Sequence, residues 1–363
     1  MNPRPQPQGI PLRADPDALV DHAMRSLSRS ALATALGARH QEHVGYAEDF
    51  TAKMWPHDRE ASLLTKGAVS PATVADTQAL SVISLALLRH LMPVSAAANV
   101  LGAGISVSFA GTSRIAIPAL TAPTIAFARE SDPVQVSRLP TSTAAIMERH
   151  KLAVLCGLTR ELMDGSNAEQ LIRQMLIDSC GAALDAVLFD ATAAVPELRP
   201  AGLLNGVTAL TPSADTSKRE AMADDVAALI AAVSAVGGGS TIALVAAPKQ
   251  AVALMMRAQR LGFPVHMSSA LPNKTIIAVA TNAVAAALDL PEIGASRDAV
   301  VHIESSDVAP IVVYDDGENG GPVMATPVYS MFQTDSVMLK LRWPVSWAMR
   351  DARGIAWMSA VTW

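Results

Sequence analysis

Apolar positions recur at helical spacing most clearly between Thr159 and Asp190. Leu171, Ile172, Met175, Leu176, Leu184, Val187 and Leu188 follow the 3.6-residue period. Ser166 or Asn167 suits the N-cap, because a short polar side chain accepts a bond from a free backbone N–H of the first turn. Glu169 follows, where the positive end of the helix dipole favours a carboxylate. Gly181 interrupts the pattern at a tolerable cost of roughly 1 kcal/mol against Ala. The spacing predicts a helix over 167–190, about 36 Å long at 1.5 Å per residue. Such a helix reads as a spine on which sheets are laid.

Elsewhere the period changes along the chain. Residues 1–15 are rich in proline and poor in apolar side chains, and read as a disordered arm. Pro16 can open a helix at its first position, and the run to Leu36 is helical, ending near Gly37. From Ala38 to Lys66 the pattern is weak and polar, broken at Trp55-Pro56, so the chain up to about Lys66 reads as an appendage rather than core. A second helix opens at Ser70-Pro71, carries Val82, Ile83, Leu85, Leu87 and Leu88, and stops before Pro93. Then Ile105, Val107 and Phe109 alternate with serines, and Ile115 and Ile117 continue beyond a Gly111-Thr112-Ser113 turn. This predicts a β-hairpin or adjacent strand pair.

Residues 118–140 combine four prolines with Arg129, Glu130, Asp132 and Arg138. The stretch is too extended and polar to bury alone, and isolated hairpins are marginal in water. It reads as an arm that lies on something else. A long strand over 142–158 then leads into the spine. After a turn-rich exit at 199–206, residues 217–305 alternate helix and strand: helices over 222–236 and 248–260, strands over 241–246, 275–280 and 300–304. This predicts a small α/β unit. Residues 315–321 form a polar turn. Val337, Leu339, Leu341 and Trp343 then alternate with Ser336, Met338, Lys340 and Arg342, a strand with one buried face.

Composition narrows the class. Of 363 residues, 50% are hydrophobic and only 17% charged, enough for a sizeable core with little charge to cover a free surface. A protein that buries its exterior against its own copies fits this, as does a merely alanine-rich sequence. The length suggests two domains. The net charge of −5 gives no strongly basic nucleic-acid surface. Cys156 and Cys180 form neither a disulfide framework nor a zinc motif, and read as buried small residues. No stretch matches a membrane span or a signal peptide, which points to a reducing, cytoplasm-like space.

Candidate chemistry is thin. Gly237-Gly238-Gly239-Ser240 sits between helix and strand, the reverse of a phosphate cradle. Asp315, Asp316, Glu318 and Asn319 offer oxygens for calcium, but a solvated turn explains them better. His40 and His43 lack further zinc ligands. Glu161 and Asp164 read as helix-terminal charges. No catalytic site, cofactor or metal is expected.

Several stretches resemble the major capsid proteins of tailed bacteriophages, a fold also used by encapsulin shells. They are IAFARESDPVQVSRL (125–139), LTRELMDGSNAEQLIRQML (158–176), ALDAVLFD (183–190), RPAGLLNGV (199–207) and MFQTDSVMLKLRWPVSWAMRDARGIAWM (331–358). The resemblance covers roughly residues 71–363. It implies an α+β fold with an N-terminal arm or scaffolding-like segment over 1–66 and a peripheral domain that starts at 67–117. An extended β-hairpin loop follows over 118–140, and the peripheral domain continues with its spine helix over 141–216. An α/β axial domain at 217–305 and a return to the peripheral domain at 306–363 complete it. The implied function is a structural protein, not an enzyme, that assembles into hexamers and pentamers of an icosahedral head around double-stranded DNA. Phe127, Arg129, Glu130, Asp132 and Arg138 become assembly contacts of the loop on a neighbouring copy. The implied partners are further copies, a scaffolding or maturation protease, a portal and non-specifically held DNA, with no membrane. The setting is a virion assembled in a bacterial cytoplasm. Some members crosslink this loop covalently through a lysine; none occurs here, so no such crosslink is expected. The alternatives are an encapsulin-like compartment and an α/β enzyme centred on 217–305.

Overall fold

The structure is a computed structural model. It describes residues 16–40, 45–65, 74–109, 112–119, 145–165, 167–257, 262–301, 312–314, 322–324 and 329–363. The N-terminal third is helical: α1 (Pro16–Arg39), α2 (Tyr46–Met54), α3 (Arg59–Thr65), α4 (Val74–Leu91) and α5 (Ala96–Ala103). Strands β1 (Ile105–Ser108), β2 (Arg114–Ile117), β3 (Ala145–Glu148) and β4 (Lys151–Thr159) follow, then α6 (Arg160–Asp164) and the spine α7 (Ala168–Leu188). Next come α8 (Lys218–Val233), β5 (Ile242–Ala246), α9 (Pro248–Arg257), β6 (Val265–Met267), β7 (Ile276–Ala280), β8 (Val284–Leu288) and β9 (Glu292–Ser296). The chain closes with β10 (Val300–Val301), β11 (Val312–Tyr314), β12 (Pro322–Met324), β13 (Tyr329–Ser330), β14 (Ser336–Met349) and β15 (Ile355–Met358).

The long strand β14 organises the main sheet. Its first half pairs antiparallel with β4, from Ser336↔Thr159 to Pro344↔Lys151, and its other edge pairs with β9. Beyond Pro344 that edge passes to β8, from Val345↔Leu288 to Met349↔Val284, and β1 lies parallel to β8. Proline donates no ladder hydrogen bond, so it is tolerated where the strand changes partner. Val337, Leu339, Leu341 and Trp343 are buried, as the alternation predicts. They face a core built from Met24, Leu27 and Ala31 of α1, Leu87, Leu88 and Leu91 of α4, and Ile172, Leu176, Cys180 and Leu184 of α7. Each Leu, Ile or Met among them contributes about 1.5–3 kcal/mol by leaving water.

A second sheet runs β15-β7-β5-β6. One face, with Ile242, Leu244 and Ala246, packs under α8 and α9. The other, with Val245, Ile277 and Val279, joins the main core.

Several expectations need correction. Helix α1 is core, not appendage: Ala23, Met24, Leu27, Ala31, Ala35 and Leu36 form a stripe of small and aliphatic side chains buried against the sheet and α7. Strands β1 and β2 do not form a hairpin. β1 is drawn to the all-buried β8, whereas β2 pairs with β3. The strand expected over 142–158 divides at Arg149–His150, because β3 follows β2 and β4 follows β14. Within 217–305, β8 and β9 bond to β14, and the α/β sheet is completed by β15 from the C-terminal tail. The spine starts where expected, but the Asn167 side chain makes no cap bond, and Ser166 lies outside the described residues. Of 300–304, only β10 is described, paired with β13.

Candidate assembly surface

The residues expected to carry assembly contacts, Phe127, Arg129, Glu130, Asp132 and Arg138, all lie outside the described residues. The ribbon that leads into and out of their segment is described. Strands β2 and β3 pair from Arg114↔Glu148 to Ile117↔Ala145. Arg114 and Glu148 make an ion pair at the ribbon's base, and the guanidinium holds the Glu148 carboxyl below the usual carboxylate range. Phe109, Ile117 and Met147 anchor the ribbon on Ala285 and Ala287 of β8. Alanine there lets the ribbon approach the sheet closely.

Beside this ribbon lies a cleft of about 550 Å³. Arg114, Ile146 and Glu148 line one side, and Val195, Leu203, Trp347 and Met349 the other. His150, at its edge, is 6% exposed. Its Nδ1 lies 3.3 Å from Ser346 Oγ, while Nε2 has no partner. Burial pushes its pKa down.

The other candidates from the sequence are not brought together into a site. His40 stacks on Tyr46 with centroids 4.4 Å apart, and His43 lies outside the described residues. Asp315, Asp316, Glu318 and Asn319 also lie outside them, between the paired strands β11 and β12. The Gly237–Gly239 segment closes on itself: Thr241 Oγ1 accepts from Gly238 N at 3.0 Å and donates to Gly238 O at 2.9 Å. Gly237 is needed there, since a Cβ would stand 2.7 Å from the Ala280 methyl. Asp164 binds Arg39 of α1 at 2.7 Å, which fixes the spine entry to the first helix, and Glu161 is exposed. Cys156 is half-buried and Cys180 buried, and burial pushes the Cys180 thiol up to about 12, so it does not present a thiolate.

Two polar clusters carried no signal in the sequence, because each joins segments far apart in the chain. Asp58 caps α3 by accepting from Ala61 N at 2.9 Å, and also accepts from Ser26 Oγ at 2.7 Å and Arg29 at 2.8 Å. Arg29 reaches Glu169 of α7 at 3.4 Å and lies 5.3 Å from the centre of the Trp55 ring. His22, Asp58 and Glu60 converge closely enough to suggest a metal. The Asp58 oxygens are already committed to these donors, so the cluster acts as a joint between α1, α3 and α7. In the second cluster Asp185 of α7 binds the N-terminus of α5 and Ser268.

The two buried clusters hold helices to one another and to the sheets. Among the described residues no helix is long and apolar enough to cross a membrane. The class these features define is an α+β fold with a helical spine laid on mixed sheets. The chain belongs to the phage capsid family, whose model matches residues 94–287, just over half of the 363 residues. It is a structural capsid protein, a virion component that associates with its own copies. Among curated proteins none matches the chain. Among solved structures, one from Microbacterium phage Oxtober96 is similar at 14% identity and a TM-score of 0.47, covering 73% of this chain and 90% of that one. A satellite phage P4 procapsid including size determination (Sid) protein is similar at 10% identity and a TM-score of 0.46, covering 76% and 98%. A virus-like particle from Pyrococcus furiosus is similar at 10% identity and a TM-score of 0.44, covering 76% and 97%.

Proposed function

We propose that this chain is the major subunit of an icosahedral phage head, assembling as pentamers and hexamers around double-stranded DNA. The observation that carries the reading is the family match over residues 94–287, which spans the spine helix and most of the α/β unit. In this reading the main sheet with α7 is the peripheral body, and the α/β sheet with α8 and α9 lies towards the ring centres. Residues 118–140 form the extended loop that rests on a neighbouring copy, through Phe127, Arg129, Glu130, Asp132 and Arg138. Rings close through repeated heterologous contacts.

The chain performs no catalysis in this role. DNA is held without base reading, and a net charge of −5 requires only that the inner surface avoid strong repulsion. A portal and a scaffolding or maturation protease complete the partners, and assembly takes place in a bacterial cytoplasm. Velocity sedimentation tests this. The full chain should run as megadalton particles, and a variant with 118–140 replaced by a Gly-Ser linker should remain small while keeping its circular dichroism. Particle formation by the linker variant would overturn the loop's role.

A further inference from the structure

Strand β4 is an open edge of unusual character. Nine residues pair with β14 in unbroken register, from Lys151↔Pro344 to Thr159↔Ser336. Among the described residues its other edge meets no strand, and no backbone hydrogen bond to that edge is made. Proteins blunt such edges with prolines, bulges, central lysines or covering loops, because unpaired N–H and C=O groups template pairing with another chain. Among the described residues β4 has none of these. Its sequence is KLAVLCGLT, with one charge at the first position. The even-numbered residues Leu152, Val154, Cys156 and Leu158 turn to the core, and the odd-numbered ones are exposed. Leu155, the midpoint of the strand, is 63% exposed.

We infer that β4 pairs antiparallel with β4 of a second copy across a two-fold axis through Leu155. The inference rests on the reading of the chain as a self-assembling shell protein, and names one of its contacts. Three features favour a second copy over an unrelated strand. First, the most exposed apolar side chain sits at the strand's centre, so a two-fold sets Leu155 against Leu155 of the other copy and buries both. Second, Ala153 falls opposite Gly157 of the other copy, small against small, leaving room for the leucines. Third, charges complement at the ends: Lys151 of one copy comes to the end of the other's strand, where Arg160 is paired with Asp164 and Asp335 and Glu161, the second residue of α6, is exposed. The pairing is isologous, so each contact is made twice. Ring contacts are heterologous, so this two-fold joins copies in adjacent rings.

Directly opposed residues in an antiparallel pair have Cα atoms about 4.5–5.5 Å apart, within disulfide range. Leu155→Cys particles treated with diamide should therefore run as double-mass chains on non-reducing gels, while wild type, which keeps Cys156 and Cys180, stays single. Leu155→Lys alone and Leu155→Glu alone should each lose the particle peak in sedimentation, and an equal mixture of the two should recover it. Particles of Leu155→Cys without the crosslink, or a crosslink mapped by mass spectrometry to another segment, overturn the two-fold. Failure of the Lys and Glu mixture to recover particles does the same. Wild-type chain that stays monomeric at high concentration overturns both this inference and the reading beneath it.

Discussion

Asp185, in the last turn of the spine helix, accepts a 2.5 Å hydrogen bond from the hydroxyl of Ser95, the N-cap of α5. The same carboxylate accepts from Ala97 N at 2.9 Å and from Ser268 Oγ at 2.6 Å, and Ser95 Oγ accepts from Ala98 N at 3.0 Å. One buried side chain thus ties the spine, a neighbouring helix end and the segment after β6. Gly181, one turn earlier, permits the approach, since a Cβ there would stand 3.1 Å from Val94. Asp185→Ala leaves buried donors without an acceptor and should cost roughly 3 kcal/mol. Urea unfolding of the unassembled chain measures this, and a cost near zero would show that the junction does not hold the fold.

The exit from the spine depends on Gly202. Arg199 grips Asp190 through two bonds, of 2.8 and 2.7 Å, and Leu204 N donates to Asp190 O at 3.1 Å. A Cβ on Gly202 would lie 1.9 Å from Asp190 Oδ1 and 2.2 Å from its backbone oxygen. The backbone cannot yield by that much without breaking the turn. Gly202→Ala should lower the thermal midpoint by several degrees or more, the effect of about 2–3 kcal/mol on a chain of this size. An unchanged midpoint would count against this packing.

Acid should weaken the fold in two stages. Burial disfavours the charged imidazole and holds His150 below its ordinary pKa. An unfolded histidine takes up its proton near 6.5, so stability falls as pH drops from about 6.5 through the folded value. Burial alone would raise the Asp58 pKa, but bonds from Ala61 N, Ser26 and Arg29 outweigh it and hold it down. Its contribution is complete above the unfolded value of about 3.9, and is lost as pH falls further. Asp58→Asn should shrink the lower stage, to which Asp21, Glu148 and Asp351 also contribute, and leave the upper one, which a pH series of denaturation midpoints will reveal.

The loop segment 118–140 contains no lysine. Assembled particles should therefore dissolve in hot detergent to one band of 37.9 kDa, or one shorter band after N-terminal processing. A ladder of covalent multimers would contradict this.

Legibility tracked how local each signal is. The spine and β14 are plain because their periods run over many residues, the spine's resuming after the break at Gly181. α5 (AAANVLGA) was missed: its alanines carry little contrast between faces, and its cap works through Asp185, 90 residues away. The strand pair at 105–117 was misassigned because alternation fixes a strand, not its partner. β1 finds β8 far along the chain, through an alanine-rich strand that reads as helix-compatible. α1 has a clear helical pattern, yet the stripe that buries it is mostly alanine, and the Arg29–Asp58 pair that joins it to α3 has no sequence signature. The edge of β4 could not be seen until β14 was known to cover only one side.

The central claim is that this chain is a shell-forming tile. Cryo-electron microscopy of the purified full-length chain tests it most directly. Closed icosahedral particles with pentameric and hexameric rings, and with density for residues 118–140 lying over an adjacent copy, are the expected result. A field of discrete monomers at high concentration, with that segment folded on its own subunit, would contradict it.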